Sequence, residues 1–305
     1  MKSCGEMRKE AWGILNGKWF WRLLAAGILL QGVAFLANAA VSVAFKAMSI
    51  TSVGEFLEAK ARAAQQGLSY SLPTAKAYFW MVGGFCLQTF IGYVFAAIFA
   101  FGFAGLLLKV RDDDDSRWLA ESFGGFARPL EVTGLLVLIN LVVFLMMGGS
   151  AIVFGGLAGL AIALTGMSIK SPISLLLLML ALAASLYVAM VAAYSYRQAW
   201  FLKSENRSMS PLDCLGKSRR MMRGFKAEAF FLDVSYAGWI ALVMLAFLAA
   251  MTLGAIAERS GGFAVKLASF LAGAVGFWLL LKTLLGMAVS RVVFYRELQA
   301  QAQTA

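Results

Sequence analysis

Six apolar stretches, at about 20–45, 78–108, 132–164, 174–200, 228–257 and 262–294, constrain this chain more than anything else in it. Each is long enough to cross a hydrocarbon core of about 30 Å, which takes roughly 20 helical residues at about 1.5 Å apiece. Within lipid every backbone N–H and C=O must find a partner inside the protein, so spanning segments are helices or closed barrels, and these runs have the length of helices. Hydrophobic residues make up 61% of the 305 residues and charged residues 14%, with a mean hydropathy of +0.78. That balance excludes an ordinary soluble domain. The expected class is all-α: a polytopic integral membrane protein, one domain over 1–305, with about six transmembrane helices and short amphipathic surface helices on the cytoplasmic side.

The third run, taken as far as 166, exceeds a straight crossing, since as continuous helix it measures about 50 Å. Gly148-Gly149 and Gly155-Gly156-x-x-Gly159 predict a break, a strong tilt or a close helix contact there. Trp19 and Trp21 at the start of the first run suit the interfacial aromatic belt. Ala37-Asn38-Ala39 has the small-residue spacing of a signal-peptidase site, but the run before it is long for a signal peptide, so the first span is expected to be kept. Between the first two runs, Ser52-Val53-Gly54-Glu55 is a capping box and Gly67 a stop, which predicts a small helix over 53–66, with Pro73 opening the second span.

Charge sets the orientation. The net charge is +11, and the cations sit in loops flanking apolar runs, so it is a topology signal and not a nucleic-acid footprint. With an even number of spans both termini share a side. Nineteen Lys and Arg residues fall on that side and seven on the other, with Lys282 inside a span. Positive-inside bias then places both termini in the cytoplasm, in a plasma (inner) membrane.

Eight of those cations lie in or beside the segment from Tyr194 to Trp239. Ser210-Pro211-Leu212-Asp213 reads as a helix start and Gly224 as its left-handed stop. At about 100° per residue, Cys214, Leu215, Ser218, Met221 and Met222 share one arc, extended by Phe225. Lys217, Arg220 and Arg223 share the other, with Arg219 at the boundary. The surface helix 210–224 is expected to lie in the interface, apolar side down and cations toward lipid phosphates. Lys217, Arg220, Arg223 and Lys226 are the candidate surface for anionic headgroups or a partner protein; the alternative is that they serve topology alone.

Asp233 is the second candidate. It lies about nine residues past Gly224, on the order of 13 Å along the fifth span, where an unpaired carboxylate is costly. Lys282 and Arg291 on the sixth span are its candidate partners. Asp233 lies between the two in depth, so depth does not decide; Lys282 is favoured because it has the greater need of a partner, whereas Arg291 can snorkel to water unaided. Such a pair either fastens helices five and six or changes protonation in a proton- or ion-coupled site.

Much chemistry is excluded. The chain has no histidine, and its three cysteines, Cys4, Cys86 and Cys214, are scattered without zinc or disulfide spacing. Asp112 to Asp115 are consecutive, which does not build a calcium cage, and the run reads as a solvated turn neutralised by the basic helix. No phosphate loop or nucleophile motif occurs, so neither metal, cofactor nor enzymatic activity is expected.

Three segments share a plan of amphipathic stretch, glycine among aromatics, then a spanning hairpin: Leu15 to Trp19, Phe123-Gly124-Gly125-Phe126, and Met222 to Lys226. In each, the glycine is read as ending a surface helix. The sequence resembles the bacterial integral membrane proteins called domain of unknown function family 975. The resemblance rests on Ala11 to Trp19, on Phe123 to Phe126, on Ser218-x-x-Met221-Met222-Arg223-Gly224 followed by Phe230 to Trp239, and on Phe294-Tyr295-x-x-Leu298. Leu285-Gly286 stands roughly where that family would show Pro-Tyr. The family looks similar to the membrane part of some glycerophosphodiester phosphodiesterases, without their catalytic domain. It therefore implies a fold and no activity. The function expected is that of a non-enzymatic membrane protein binding anionic lipid or a partner, as a homo-oligomer or with another membrane protein; the alternative is a small-solute or lipid transporter.

Overall fold

The computed structural model describes residues 2–47, 58, 60–63, 65–66, 75–114, 116–166, 168–260 and 262–304. The capping box at Ser52, the stop at Gly67 and Pro73 lie outside them, and most of the predicted helix 53–66 does too.

Among the described residues the chain is mostly helical and has no strand, in the order α1 (Cys4–Leu15), α2 (Lys18–Ala47), α3 (Ala75–Asp112), α4 (Trp118–Ser122), a 3-10 turn (Gly124–Ala127), α5 (Pro129–Thr165), α6 (Pro172–Tyr196), α7 (Ala199–Glu205), α8 (Pro211–Met221), α9 (Lys226–Val234), α10 (Ala237–Ser260) and α11 (Phe263–Thr304). Six segments among the described residues are long and apolar enough to cross a membrane; they are built on α2, α3, α5, on α6 running into α7, on α9 running into α10, and on α11. Helix starts follow local chemistry. The Ser171 hydroxyl accepts from the Ser174 amide ahead of Pro172, and Ser3 and Glu6 form a reciprocal capping box at α1.

The protein's tight core lies at one end of the bundle. There α1 buries Ala11 and Leu15 against Leu23 of α2, Leu106 and Val110 of α3, Phe201 and Leu202 of α7, and Val289 and Val292 of α11. A second cluster joins Met7, Met222, Leu232, Phe294 and Leu298. Half of the most apolar window of α3 is buried, against at most 11% in the other five segments. The remaining apolar surface faces outward, as at Ile152, Leu164, Met251 and Phe270. Contiguous exposure of this kind is the pattern expected of a lipid-facing belt.

The structure departs from the sequence reading first at the glycines of the third run. The helix α5 runs unbroken through Gly148, Gly149, Gly155, Gly156 and Gly159, and a Cβ added at any of them would meet nothing within 4 Å. The run therefore neither breaks nor makes a close helix contact at these glycines. Close approach to backbone occurs elsewhere: a Cβ on Gly102 would stand 1.9 Å from the Ser122 carbonyl oxygen, and one on Gly125 would stand 2.6 Å from that of Ile98. The fifth apolar run bends after Val234, where the Ser235 hydroxyl donates to the Leu232 carbonyl and Arg8 of α1 donates to the Ser235 carbonyl. The chain beyond the sixth apolar run stays helical to Thr304. Tyr295, Arg296 and Gln299 all donate to Glu205, and Arg296 also reaches Asp112 at 2.6 Å.

The aspartate run is neutralised, though not by the helix carrying Arg219 and Arg220. Asp112 pairs with Arg296, Asp113 with Lys18 and the Trp19 indole N–H, and Asp114 with Lys109. Hydrogen bonds from the Ser116 hydroxyl and amide, and then from Lys109, push the Asp114 carboxyl down to about 2. Asp115 lies outside the described residues.

Candidate functional site: a charged cavity and a basic surface

The helix α6 ends at Tyr196, and Arg197 and Gln198 make a single turn of broken helix before α7. That break lays Arg197 against α9, where its planar guanidinium forks onto Asp233, Nη1 to Oδ2 at 2.9 Å and Nη2 to Oδ1 at 3.0 Å. Two parallel N–H···O bonds to one carboxylate are the strongest geometry this pair can adopt. The Tyr194 hydroxyl donates to the same Oδ2 at 2.8 Å, and the Arg197 guanidinium also lies over the Tyr194 ring. Arg291 stands on the far side, its Nε 3.7 Å from Asp233 Oδ1.

Lys282, the favoured partner on sequence grounds, is not in this cluster. Its Nζ lies 5.5 Å from the centre of the Trp12 ring, whose face offers an ammonium partial compensation. Nine residues of helix separate it from Arg291, about 13 Å along α11. In the sequence Arg197 is one of the eight cations between Tyr194 and Trp239 and does not stand out among them. The signal was an arginine inside the tail of one apolar run facing an aspartate just inside the next.

The cluster forms part of the wall of a cavity of about 520 Å³. The other walls are Phe103 and Leu107 of α3, Ile139, Asn140 and Val143 of α5, Ala193 of α6, Trp200 and Phe201 of α7, and Ala288 of α11. Asn140 donates to the Tyr93 hydroxyl at 2.5 Å. The arrangement holds one net positive charge, two guanidiniums against one carboxylate, beside mostly apolar walls. Cavities of this size, apolar with a few convergent polar groups, are where small ligands bind.

The basic surface is built on α8. The Ser210 hydroxyl accepts from the Asp213 amide, and the chain beyond the helix turns at Gly224 with φ +91°. The regular helix stops at Met221, three residues before that glycine. Cys214, Leu215, Ser218 and Met222 are buried, while Lys217, Arg219, Arg220 and Arg223 are exposed. The two arcs are thus those read from the sequence, but the apolar one does not face lipid. It docks on Leu135 and Ala199, and the Ser218 hydroxyl donates to the Ser195 carbonyl. Burial also raises the Cys214 thiol above its ordinary range. Arg219, Arg223 and Lys226 line a depression of about 320 Å³ with Gly224 and Ala227. Lys217 and Arg220 do not line it, and Arg219, at the boundary of the helical arcs, does.

The fold thus defines an all-α protein with six long apolar helices, a charged cluster on the wall of a cavity between them and a basic corner at the helix-rich end. The chain belongs to the family described as protein of unknown function (DUF975), whose family model matches residues 1–302. No curated protein and no solved structure matches it. Segments that carried the family resemblance meet in space: Met222, Phe294 and Leu298 pack together, and Tyr236 of α9–α10 shares a 2.5 Å hydrogen bond with Ser290 of α11.

Proposed function

We propose that this chain is a non-enzymatic membrane protein of the plasma membrane, termini cytoplasmic, that binds anionic lipid headgroups at the corner between α8 and α9. The observation that carries this reading is the basin formed by Arg219, Arg223 and Lys226, whose five lining residues include no acidic side chain. Arg219 lies on α8, which is anchored by its buried arc, Arg223 lies in the turn that follows it and Lys226 opens α9, so their spacing is set by the fold. Near a membrane surface each such cation contributes about 1 kcal/mol toward anionic lipid. The test uses the purified full chain in mixed micelles containing phosphatidylglycerol or phosphatidylcholine. Binding to the anionic micelles should weaken by about 1 kcal/mol for each of Arg219→Gln, Arg223→Gln and Lys226→Gln. Unchanged affinity in the triple variant, or no preference for phosphatidylglycerol, leaves these cations with topology alone.

A second reading, transport of a small solute or lipid, is favoured by the charge cluster on the wall of a cavity between long helices. Flux into vesicles containing the reconstituted chain tests it, and absence of flux under conditions that retain lipid binding rejects it.

A further inference from the structure

Asp233 has little left to give. Its Oδ2 already accepts from Arg197 and Tyr194, and its Oδ1 accepts from Arg197. Arg291 is the cation that this arrangement leaves short. Among the described residues its nearest counter-charge is 3.7 Å away, beyond a hydrogen bond, and its buried Nε has no hydrogen-bond partner. The Arg291 side chain is 41% exposed, and it lines the cavity together with Phe103, Leu107, Val143 and Phe201. A guanidinium without its own acceptor calls for an anion. Hydrocarbon walls call for an acyl chain. The wall's single net positive charge suits one negative charge on the ligand.

We propose that this cavity is a binding site for a single anionic amphiphile, a carboxylate or phosphate carried on a hydrocarbon chain, with the anion on Arg291 and the chain against the apolar walls. Asp233 holds the Arg197 fork in place and, by repulsion, keeps the anion on the Arg291 side. The site shares no residue with the basin on α8 and α9, and it stands whether or not that corner binds lipid.

Trp200 lines the cavity and supplies the readout. The full-length protein in a neutral maltoside detergent is titrated with dibromostearate, whose bromines quench tryptophan on contact. Unbrominated stearate, added as competitor, defines the specific part. The expected result is saturable, competable quenching that disappears in Trp200→Phe. It should be about tenfold weaker or more in Arg291→Gln, and weaker by a similar factor for the dibromostearate methyl ester on the natural protein. Dodecyl phosphate in place of stearate as competitor distinguishes the two headgroups: the one that competes better is the chemistry the site takes. The Arg219→Gln, Arg223→Gln, Lys226→Gln triple variant should bind unchanged, which separates failure here from failure at the basin. Should Arg291→Gln not fold, Ala193→Phe fills the cavity from its wall, leaves the charges in place and must abolish the same quenching. Equal quenching by the ester, quenching insensitive to both Arg291→Gln and Ala193→Phe, or no specific part that depends on Trp200 would overturn the proposal and leave Arg291 merely hydrated.

Discussion

Breaking the fork between Arg197 and Asp233 strands two guanidiniums at once. The side chains of Arg197 and Asp233 are 11% and 19% exposed, and removing one member of a buried pair costs about 3 kcal/mol, because the other charge stays behind without a partner. Asp233→Asn should therefore lower thermal stability in detergent by about that amount. Replacing both partners, Asp233→Leu with Arg197→Met, should cost clearly less than the sum of the two single changes. Lys282→Met, by contrast, should add independently to Asp233→Asn; coupling between those two would contradict the placement of Lys282 over Trp12. The need of Asp233 for a partner was legible in the sequence, since a carboxylate inside an apolar run is costly. The identity of its principal partner was not, although Arg291, the other candidate, does stand 3.7 Å away. Counting residues along a helix fixes depth and leaves azimuth and neighbours open, and Arg197 reaches Asp233 only because α6 breaks at that residue and lies beside α9.

At the scale of elements the glycines divide sharply. Gly102 and Gly125 bring the backbone of α3 against α4 and the 3-10 turn, at distances no Cβ can share. Gly102→Ala and Gly125→Ala should each destabilise by about 1–3 kcal/mol, the usual cost of forcing atoms into a filled space. Gly148→Ala and Gly155→Ala, by contrast, enter open space on α5 and should change stability by less than about 1 kcal/mol, in the direction helix propensity favours. Melting of the four variants in one detergent separates the groups. The paired glycines of α5 drew attention because clusters are visible in a sequence, yet a glycine matters through what comes near it. Gly102 sits in Phe101-Gly102-Phe103 without any such signature. The arcs of α8 were legible for the opposite reason: burial there follows the helical period, and Cys214, Leu215, Ser218 and Met222 obey it. What covers that face was not legible, because lipid and protein select the same residues.

For the molecule as a whole, the short helices, the buried core and most of the cations gather at one end of the bundle. The helix α1 belongs to that end: it docks on α11 through Met7 and Leu15, and Lys2 pairs with Glu297 near the other terminus. The opposite end carries the α5–α6 turn, with Gly166 at φ +64° and an exposed Lys170. Positive-inside bias predicts that the first end faces the cytoplasm, and one labelling experiment decides it. In a background with Cys4, Cys86 and Cys214 replaced by serine, Lys217→Cys and Lys170→Cys each place one exposed thiol, at opposite ends. An impermeant maleimide added to intact cells should label Lys170→Cys and spare Lys217→Cys, and permeabilising the cells should expose the second site. Labelling of Lys217→Cys in intact cells would invert the protein and turn the basin of Arg219, Arg223 and Lys226 away from the cytoplasmic leaflet. Labelling of both in intact cells would mean that the two ends are not separated by a membrane at all. Only the expected pattern leaves the basic corner where cytoplasmic anionic headgroups can reach it.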